Sequence, residues 1–115
     1  GYSQSRRDDP GWYDCSSLVY RSYAAAGITY LNGMDAASEA ECLVNKGMTV
    51  SYGELQPGDL IFYSYSANGK YRNISHVAIY LGNGEMVHAA DESRGVCKQA
   101  MSQSNLSPQL YCRPQ

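Results

Sequence analysis

Apolar and polar positions follow two different periods in the two halves of the chain. Between residues 15 and 26, Leu18, Val19, Ser22, Tyr23 and Ala26 recur at helical spacing through an alanine-rich run. Asp14 is suited to cap its start and Gly27 to close its end, so a helix is predicted over 15–26. Residues 35–46, "DAASEAECLVNK", predict a second helix, capped by Asp35 and ended by Gly47. After Pro57-Gly58, a turn pair, the pattern becomes strand-like: 60–65, 74–82, 85–90, 95–101 and 109–114, with 66–73 left as a loop. Residues 2–13, rich in Ser, Arg, Asp, Pro and Gly, read as a loop or short strand leading inward. Helices followed by a meandering, mostly antiparallel sheet of five to six strands define an α+β fold.

Composition narrows this picture. The 115 residues form one domain, 1–115, large enough to bury a core without staples. Apolar residues make up 43% and charged residues 17%, and no run approaches the ~18 apolar residues of a membrane helix. A net charge of −2, with no basic cluster beyond Arg6-Arg7, provides no footprint for nucleic acid or anionic lipid. Eleven tyrosines stand against one Trp and one Phe; most read as half-buried strand residues, and some suit a groove for a polar ligand. The four cysteines, Cys15, Cys42, Cys97 and Cys112, form neither a CxxC pair nor a dense disulfide framework. The chain opens on Gly1 without a leader-like segment, as a piece of a longer protein would.

Only two histidines exist, His76 and His88, and both fall in one predicted hairpin, "SHVAIYLGNGEMVHAAD". Side chains alternate faces along a strand, so the turn decides whether the two rings meet. A two-residue loop at 83–84 sets Ile79 opposite His88 and puts the rings on opposite faces. A three-residue loop at 82–84, with Gly84 left-handed in a bulge, sets Ala78 opposite His88 and puts them on the same face. The second register is the one expected here, with the loop or a bulge supplying the odd residue.

That expectation supplies a use for Cys15. A thiol at a helix start, next to an imidazole, has the setting that lowers its pKa and activates it as a nucleophile. One histidine would act as general base and acid, the other would orient it, and backbone amides near Cys15 would hold an oxyanion. Zinc is an alternative use of Cys15, His76 and His88, but three such ligands make an incomplete structural site. No cofactor or metal is expected.

The stretches "YDCSSLVY", "LQPGDLIFY" and "SHVAIYLGNGEMVHA", in that order and spacing, resemble the NlpC/P60 cysteine peptidases of bacterial cell-wall turnover, over nearly the whole chain. The resemblance implies a papain-like fold in which the cysteine opens a helix packed on an antiparallel sheet carrying both histidines. It implies a thiol endopeptidase acting on peptidoglycan stem peptides, at the bond from γ-D-glutamate to a diamino acid. By position, Cys15 matches the nucleophile, His76 the base and His88 the orienting residue. Asp14 and Ser16 match positions that contact substrate in some members, beside their plain roles as helix cap and first-turn hydroxyl. Tyr2 matches an oxyanion tyrosine, with Tyr13 as a competitor, and Ser17 stands where many members have Gly. Asp59, in "LQPGD", is assigned a turn and no chemistry. The missing helix before Tyr2 implies a catalytic fragment of an exported, extracellular wall protein. The expected partner is a muropeptide, the expected state a monomer, and targeting domains are expected elsewhere in the protein. Of the remaining cysteines, buried free thiols are the expected reading, and Cys97 with Cys112, on the last two expected strands, is the pair a disulfide would join. A different enzymatic reading keeps the triad but acts as amidase or acyl transferase on another wall amide. A non-enzymatic one is a module that binds muropeptide without cleaving it.

Overall fold

The computed structural model describes residues 2–4, 13–91, 95–104 and 106–115. Most of the expected inward segment at 2–13, and Arg6-Arg7 within it, lies outside the described residues. Among the described residues, helix α1 spans Cys15–Ala25 and helix α2 spans Ala36–Asn45. Both start and stop where the sequence implies. The Asp14 carboxylate accepts the Ser17 N–H at 2.8 Å, and the Ser17 hydroxyl accepts the Asp14 N–H at 2.9 Å, forming a reciprocal capping box. Asp35 caps α2 through the Ser38 N–H at 2.8 Å. At the C-terminal ends, Gly27 (φ 90°) and Gly47 (φ 72°) take the left-handed position. The Ile28 N–H reaches back to the Tyr23 carbonyl and the Met48 N–H to the Leu43 carbonyl, so exposed helix carbonyls are satisfied.

Six strands follow: β1 (Thr49–Val50), β2 (Leu60–Tyr63), β3 (His76–Gly82), β4 (Glu85–Asp91), β5 (Gly95–Ala100) and β6 (Pro108–Cys112). They form one antiparallel sheet in the order β1-β6-β2-β3-β4-β5. The α+β architecture is therefore as expected, with the sheet at the upper end of its strand number. The strand missed by pattern is β1, whose two residues are too few to show a period. Expected and observed strand ends differ by one or two residues elsewhere.

The last strand is inserted between β1 and β2, pairing Cys112 with both Leu60 and Thr49. This order excludes the Cys97–Cys112 disulfide and leaves the expected reading, free thiols, in place. Cys97 lies on the edge strand β5, separated from β6 by β4, β3 and β2, far outside the ~7 Å reach of a disulfide. All four cysteines are free thiols.

Both faces of the sheet are covered, which explains why "LIFY" in β2 lacks alternation: all four residues are buried. Leu60 and Phe62 face the helices, where Val19, Tyr20, Ala40, Leu43, Val77 and Leu110 complete the main core. Ile61 and Tyr63 face the other way, clustering with Ala78 and Met86 beneath Tyr80, Met101, Leu106 and Tyr111. The Tyr23 hydroxyl of α1 donates to the Gly58 carbonyl, tying the helix to the Pro57-Gly58 turn. In the same turn, buried Asp59 receives Arg113 Nε at 2.8 Å, an Arg113 terminal nitrogen at 2.9 Å and the Gln56 N–H at 2.8 Å.

Cys112 is fully buried in this core. Burial, opposed by Arg72 and aided by Asp59, pushes its thiol up to about 12. A thiol in the unfolded chain loses its proton near pH 9. The folded state holds that proton more tightly, so the stabilising contribution is whole below about pH 9 and is lost as pH rises toward 12. The urea midpoint should therefore fall between pH 8 and pH 10.5. Cys112→Val should flatten that fall without removing it, because Cys15, Tyr23 and Tyr63 are raised in the same sense, each to about 12. An unchanged slope in Cys112→Val would contradict this assignment.

Candidate active site

The hairpin that carries both histidines settles the register question. Ile79 pairs with Val87 and Tyr80 with Met86, which continues to Ala78 opposite His88, the register expected for cooperation. Of the two devices expected, a three-residue loop or a bulge, it is the bulge that supplies the odd residue. Asn83 (φ 53°) and Gly84 (φ 76°) make a two-residue turn of the primed type, and the odd residue is absorbed at Leu81, where the ladder shifts between Tyr80 and Gly82. Gly82 is left-handed (φ 98°), and a Cβ there would meet the Pro57 ring at 3.3 Å, so the bulge is built against the neighbouring turn.

With the bulge in place, the two imidazoles share a face and touch. His76 Nε2 and His88 Nδ1 are 2.7 Å apart, with ring centroids at 4.9 Å in an edge-on arrangement. Both rings are nearly buried, at 4% and 6% exposure. Tyr63 and Tyr65 flank His76, with ring centroids 6.0 and 5.8 Å away. On β5, Cys97 pairs with His88 and Gln99 with Met86, so Gln99 is a diagonal neighbour on the same face. Its Oε1 lies 2.9 Å from His88 Nε2. Sequence reasoning missed Gln99. The signal for it is the alternation in "GVCKQAM", which becomes readable only once the β4–β5 register is known.

Cys15 is the first residue of α1, which packs on β3 and β4. The Val77 N–H, from the residue next to His76, is close enough to the thiol to bear on its acidity. The helix start and the histidine end of β3 thus converge. The residue keeps some solvent exposure while the thiol itself is enclosed by protein. Burial, joined by the negative charges of Asp14 and Glu39, pushes the thiol up to about 12 against the pull of the Val77 and Ser16 N–H groups. This corrects the expected low-pKa thiolate. The helix start contributes donors, but desolvation and two nearby carboxylates outweigh them. The direction of this shift favours the protonated thiol at neutral pH.

Asp14 and Ser16 are both buried and engage each other, the Ser16 hydroxyl donating to Asp14 Oδ1 at 3.2 Å. Ser17, fully buried, turns its hydroxyl back to the Asp14 backbone and leaves the cleft wall to others. Tyr2 and Tyr13 are brought together by a parallel bridge, with the Ser3 N–H on the Tyr13 carbonyl at 2.8 Å, so both rivals sit just before the cysteine. The Arg21 guanidinium lies 4.3 Å over the Tyr13 ring. Asp59 is the anchor of Arg113 described above, in keeping with the turn role expected of it.

A small cavity of about 70 Å³ is lined by Cys15 and Ser16 together with Gln4, Asp35, Lys70 and Ser75; of these Asp35 was read only as a helix cap, and Gln4, Lys70 and Ser75 were not singled out in the sequence. A second hollow of about 230 Å³ shares Asp35, Ala37 and Lys70 and continues along α2 to Glu41 and Tyr71. Lys70 Nζ and Asp35 Oδ2 meet at 3.1 Å where the two join. Desolvation works to raise the Asp35 pKa, but hydrogen bonds from Ser38 and the Lys70 ammonium outweigh it and hold the carboxyl below its usual value. Among the described residues, no three His, Cys, Asp or Glu side chains are grouped as metal ligands. No helix among them is long and apolar enough to cross a membrane.

The whole of this arrangement, from the bridged tyrosines to the last strand, has relatives. Residues 2–113 match the NlpC/P60 family. The chain is 41% identical over 104 residues to the peptidoglycan DL-endopeptidase CwlO of Bacillus licheniformis, covering 89% of the chain and 21% of that protein. The chain thus spans about a fifth of that relative's length. NlpC2 from Trichomonas vaginalis shares the fold, with a TM-score of 0.80 and 24% identity over 98% of this chain and 40% of its own. RipD from Mycobacterium tuberculosis, described as a non-catalytic NlpC/p60 domain protein adapted to peptidoglycan binding, has a TM-score of 0.66 and 25% identity over 88% of this chain and 66% of its own. With a family match over nearly its entire length, this chain belongs to the NlpC/P60 family.

Proposed function

We propose that this domain is a cysteine endopeptidase of peptidoglycan stem peptides, cleaving the bond from γ-D-glutamate to the diamino acid. The observation that carries the reading is the convergence of a helix-start thiol, under the Val77 N–H, with a buried and hydrogen-bonded imidazole pair that begins at the neighbouring residue. A binding module has no use for that set.

His76 takes the thiol proton as Cys15 Sγ attacks the carbonyl carbon. The tetrahedral oxyanion is held by the Cys15 N–H, which at the first helical position has no acceptor within the helix, and by the Tyr2 hydroxyl. His76 then returns the proton to the leaving amine, and a thioester remains on Cys15. Water, deprotonated by His76, attacks the thioester and releases the acid and the thiol. His88 holds His76 in place throughout. Asp14 and Ser16 line the side of the cleft where the peptide's amino end would lie, and Asp35 and Lys70 present one charge of each sign further along. The similarity to CwlO, named for DL-endopeptidase activity on peptidoglycan, supports the substrate class. Such a substrate lies outside the cell, and we propose that the protein acts there, in or near the wall, as a monomer with targeting domains elsewhere in the protein.

The binding reading is favoured by the likeness to RipD, and the amidase reading by the same triad. Incubating the protein with a defined muropeptide and weighing the products separates all three. Two fragments split after the γ-linked glutamate are expected. Fragments split at another amide would indicate the amidase, and an intact peptide that binds saturably would indicate the module.

A further inference from the structure

Two neutral imidazoles joined by one hydrogen bond can share it in either direction. The proton lies on His76 Nε2 and points to His88 Nδ1, or it lies on His88 Nδ1 and points to His76 Nε2. The choice decides the chemistry of the pair. In the first case His76 Nδ1 is left with its lone pair, which is what a base toward a thiol requires. In the second His76 carries its proton on Nδ1 and cannot accept another there.

We infer that Gln99 is a positioning residue that makes this choice, completing a Cys15–His76–His88–Gln99 relay; the inference rests on the peptidase reading for its catalytic consequence. The Gln99 Oε1 atom facing His88 Nε2 at 2.9 Å can only accept, so His88 carries its proton on Nε2. A neutral ring has one proton, so His88 Nδ1 is then an acceptor. His76 Nε2, 2.7 Å away, must be the donor. The His76 Nδ1 lone pair is thereby kept open for the thiol proton. When His76 becomes cationic, the same chain stabilises it without moving any group, since every member already donates in the direction of Gln99.

The placement follows from the strand pattern. His88, Cys97 and Gln99 share one face because His88 pairs with Cys97 and Met86 with Gln99. The interaction occurs between two nearly buried rings, where a hydrogen bond is stronger than in water and its direction matters more. Gln99 itself is half-buried on an edge strand, so it can be exchanged for a residue of similar length without opening the core.

The test compares wild type with Gln99→Met, which keeps length and loses the acceptor, and Gln99→Glu, which keeps an acceptor. Two readouts are taken. At a pH where both rings are neutral, long-range nitrogen–proton NMR should place the ring proton on Nε2 of both histidines in wild type. It should show mixed tautomers in Gln99→Met and the wild-type pattern again in Gln99→Glu. In muropeptide hydrolysis, Gln99→Met should lose roughly 10–100-fold in kcat with KM little changed, as is usual when the outer partner of a working imidazole is removed, and Gln99→Glu should recover most of it. Unmixed Nε2 tautomers with unchanged kcat in Gln99→Met would overturn the inference, as would a wild-type His76 protonated on Nδ1. If the wild type leaves the muropeptide intact while the tautomers shift as stated, the peptidase reading falls and the relay stands.

Discussion

Cys15→Ala is expected to lower muropeptide hydrolysis by roughly 10⁴–10⁶-fold, the scale seen when a covalent nucleophile is deleted. Substrate affinity should stay within a few-fold of wild type. The size follows from the absence of any alternative route. The thioester needs a sulfur at the start of α1, and alanine offers none. Affinity is spared because the rest of the cleft wall, including Ser16, Asp35 and Lys70, is untouched. Cys15→Ser should be nearly as inert. The site already holds the thiol up to about 12 through burial and the carboxylates of Asp14 and Glu39, and a hydroxyl in the same place is a far weaker acid. Initial rates by chromatography and affinity by calorimetry check both halves. Residual activity within tenfold of wild type in Cys15→Ala would remove the nucleophile from the proposed mechanism.

Asp59→Ala is expected to give the largest loss of stability of any single exchange outside the apolar core, a fall in Tm on the order of 10 °C. Asp59 is 1% exposed and accepts from Arg113 twice and from the Gln56 N–H once. Arg113 in turn donates to the Glu54 carbonyl at 2.8 Å, so one carboxylate joins the turn before β2 to the segment after β6. Alanine strands both the guanidinium and the Gln56 N–H. The Arg113 side chain is 29% exposed, so solvent softens the effect relative to a wholly buried pair. Replacing both partners, Asp59→Leu with Arg113→Met, should restore a good part of the lost Tm, because no charge is then left unpaired. A single exchange that costs only 1–2 °C would show that the turn is held by its backbone bonds alone.

What could be read from the residues, and what could not, divides along the range of the interactions. Helix α1 and the place of Cys15 at its head were legible because cap, period and closing glycine all lie within fourteen residues. The sharing of a face by His76 and His88 was legible as a question of parity. Which of the two devices, loop or bulge, would supply the odd residue was not, because the bulge is built against Pro57, a contact from a distant turn. That Cys97 and Cys112 stay apart, as the free-thiol reading has it, was likewise not legible as geometry. Strand order is set by which edges pair, and nothing local in "QLYCRP" announces that it lies between β1 and β2. The charge state of Cys15 also depends on distant groups, since Glu39 on α2 and the enclosure of the thiol are tertiary facts. Gln99 needed the β4–β5 register before its alternation meant anything.

The insertion of β6 bears on how the molecule is made. Among the described residues β1 has no partner in the sheet except β6, and one edge of β2 stays open until β6 arrives. Arg113, which closes the Asp59 anchor, comes later still. A nascent chain halted before residue 108 therefore holds every proposed reactive group, from Cys15 to Gln99, yet lacks a strand from the middle of its sheet. Synthesis delivers the proposed reactive parts before the keystone, so hydrolytic competence would wait for β6 to emerge and take its place in the sheet.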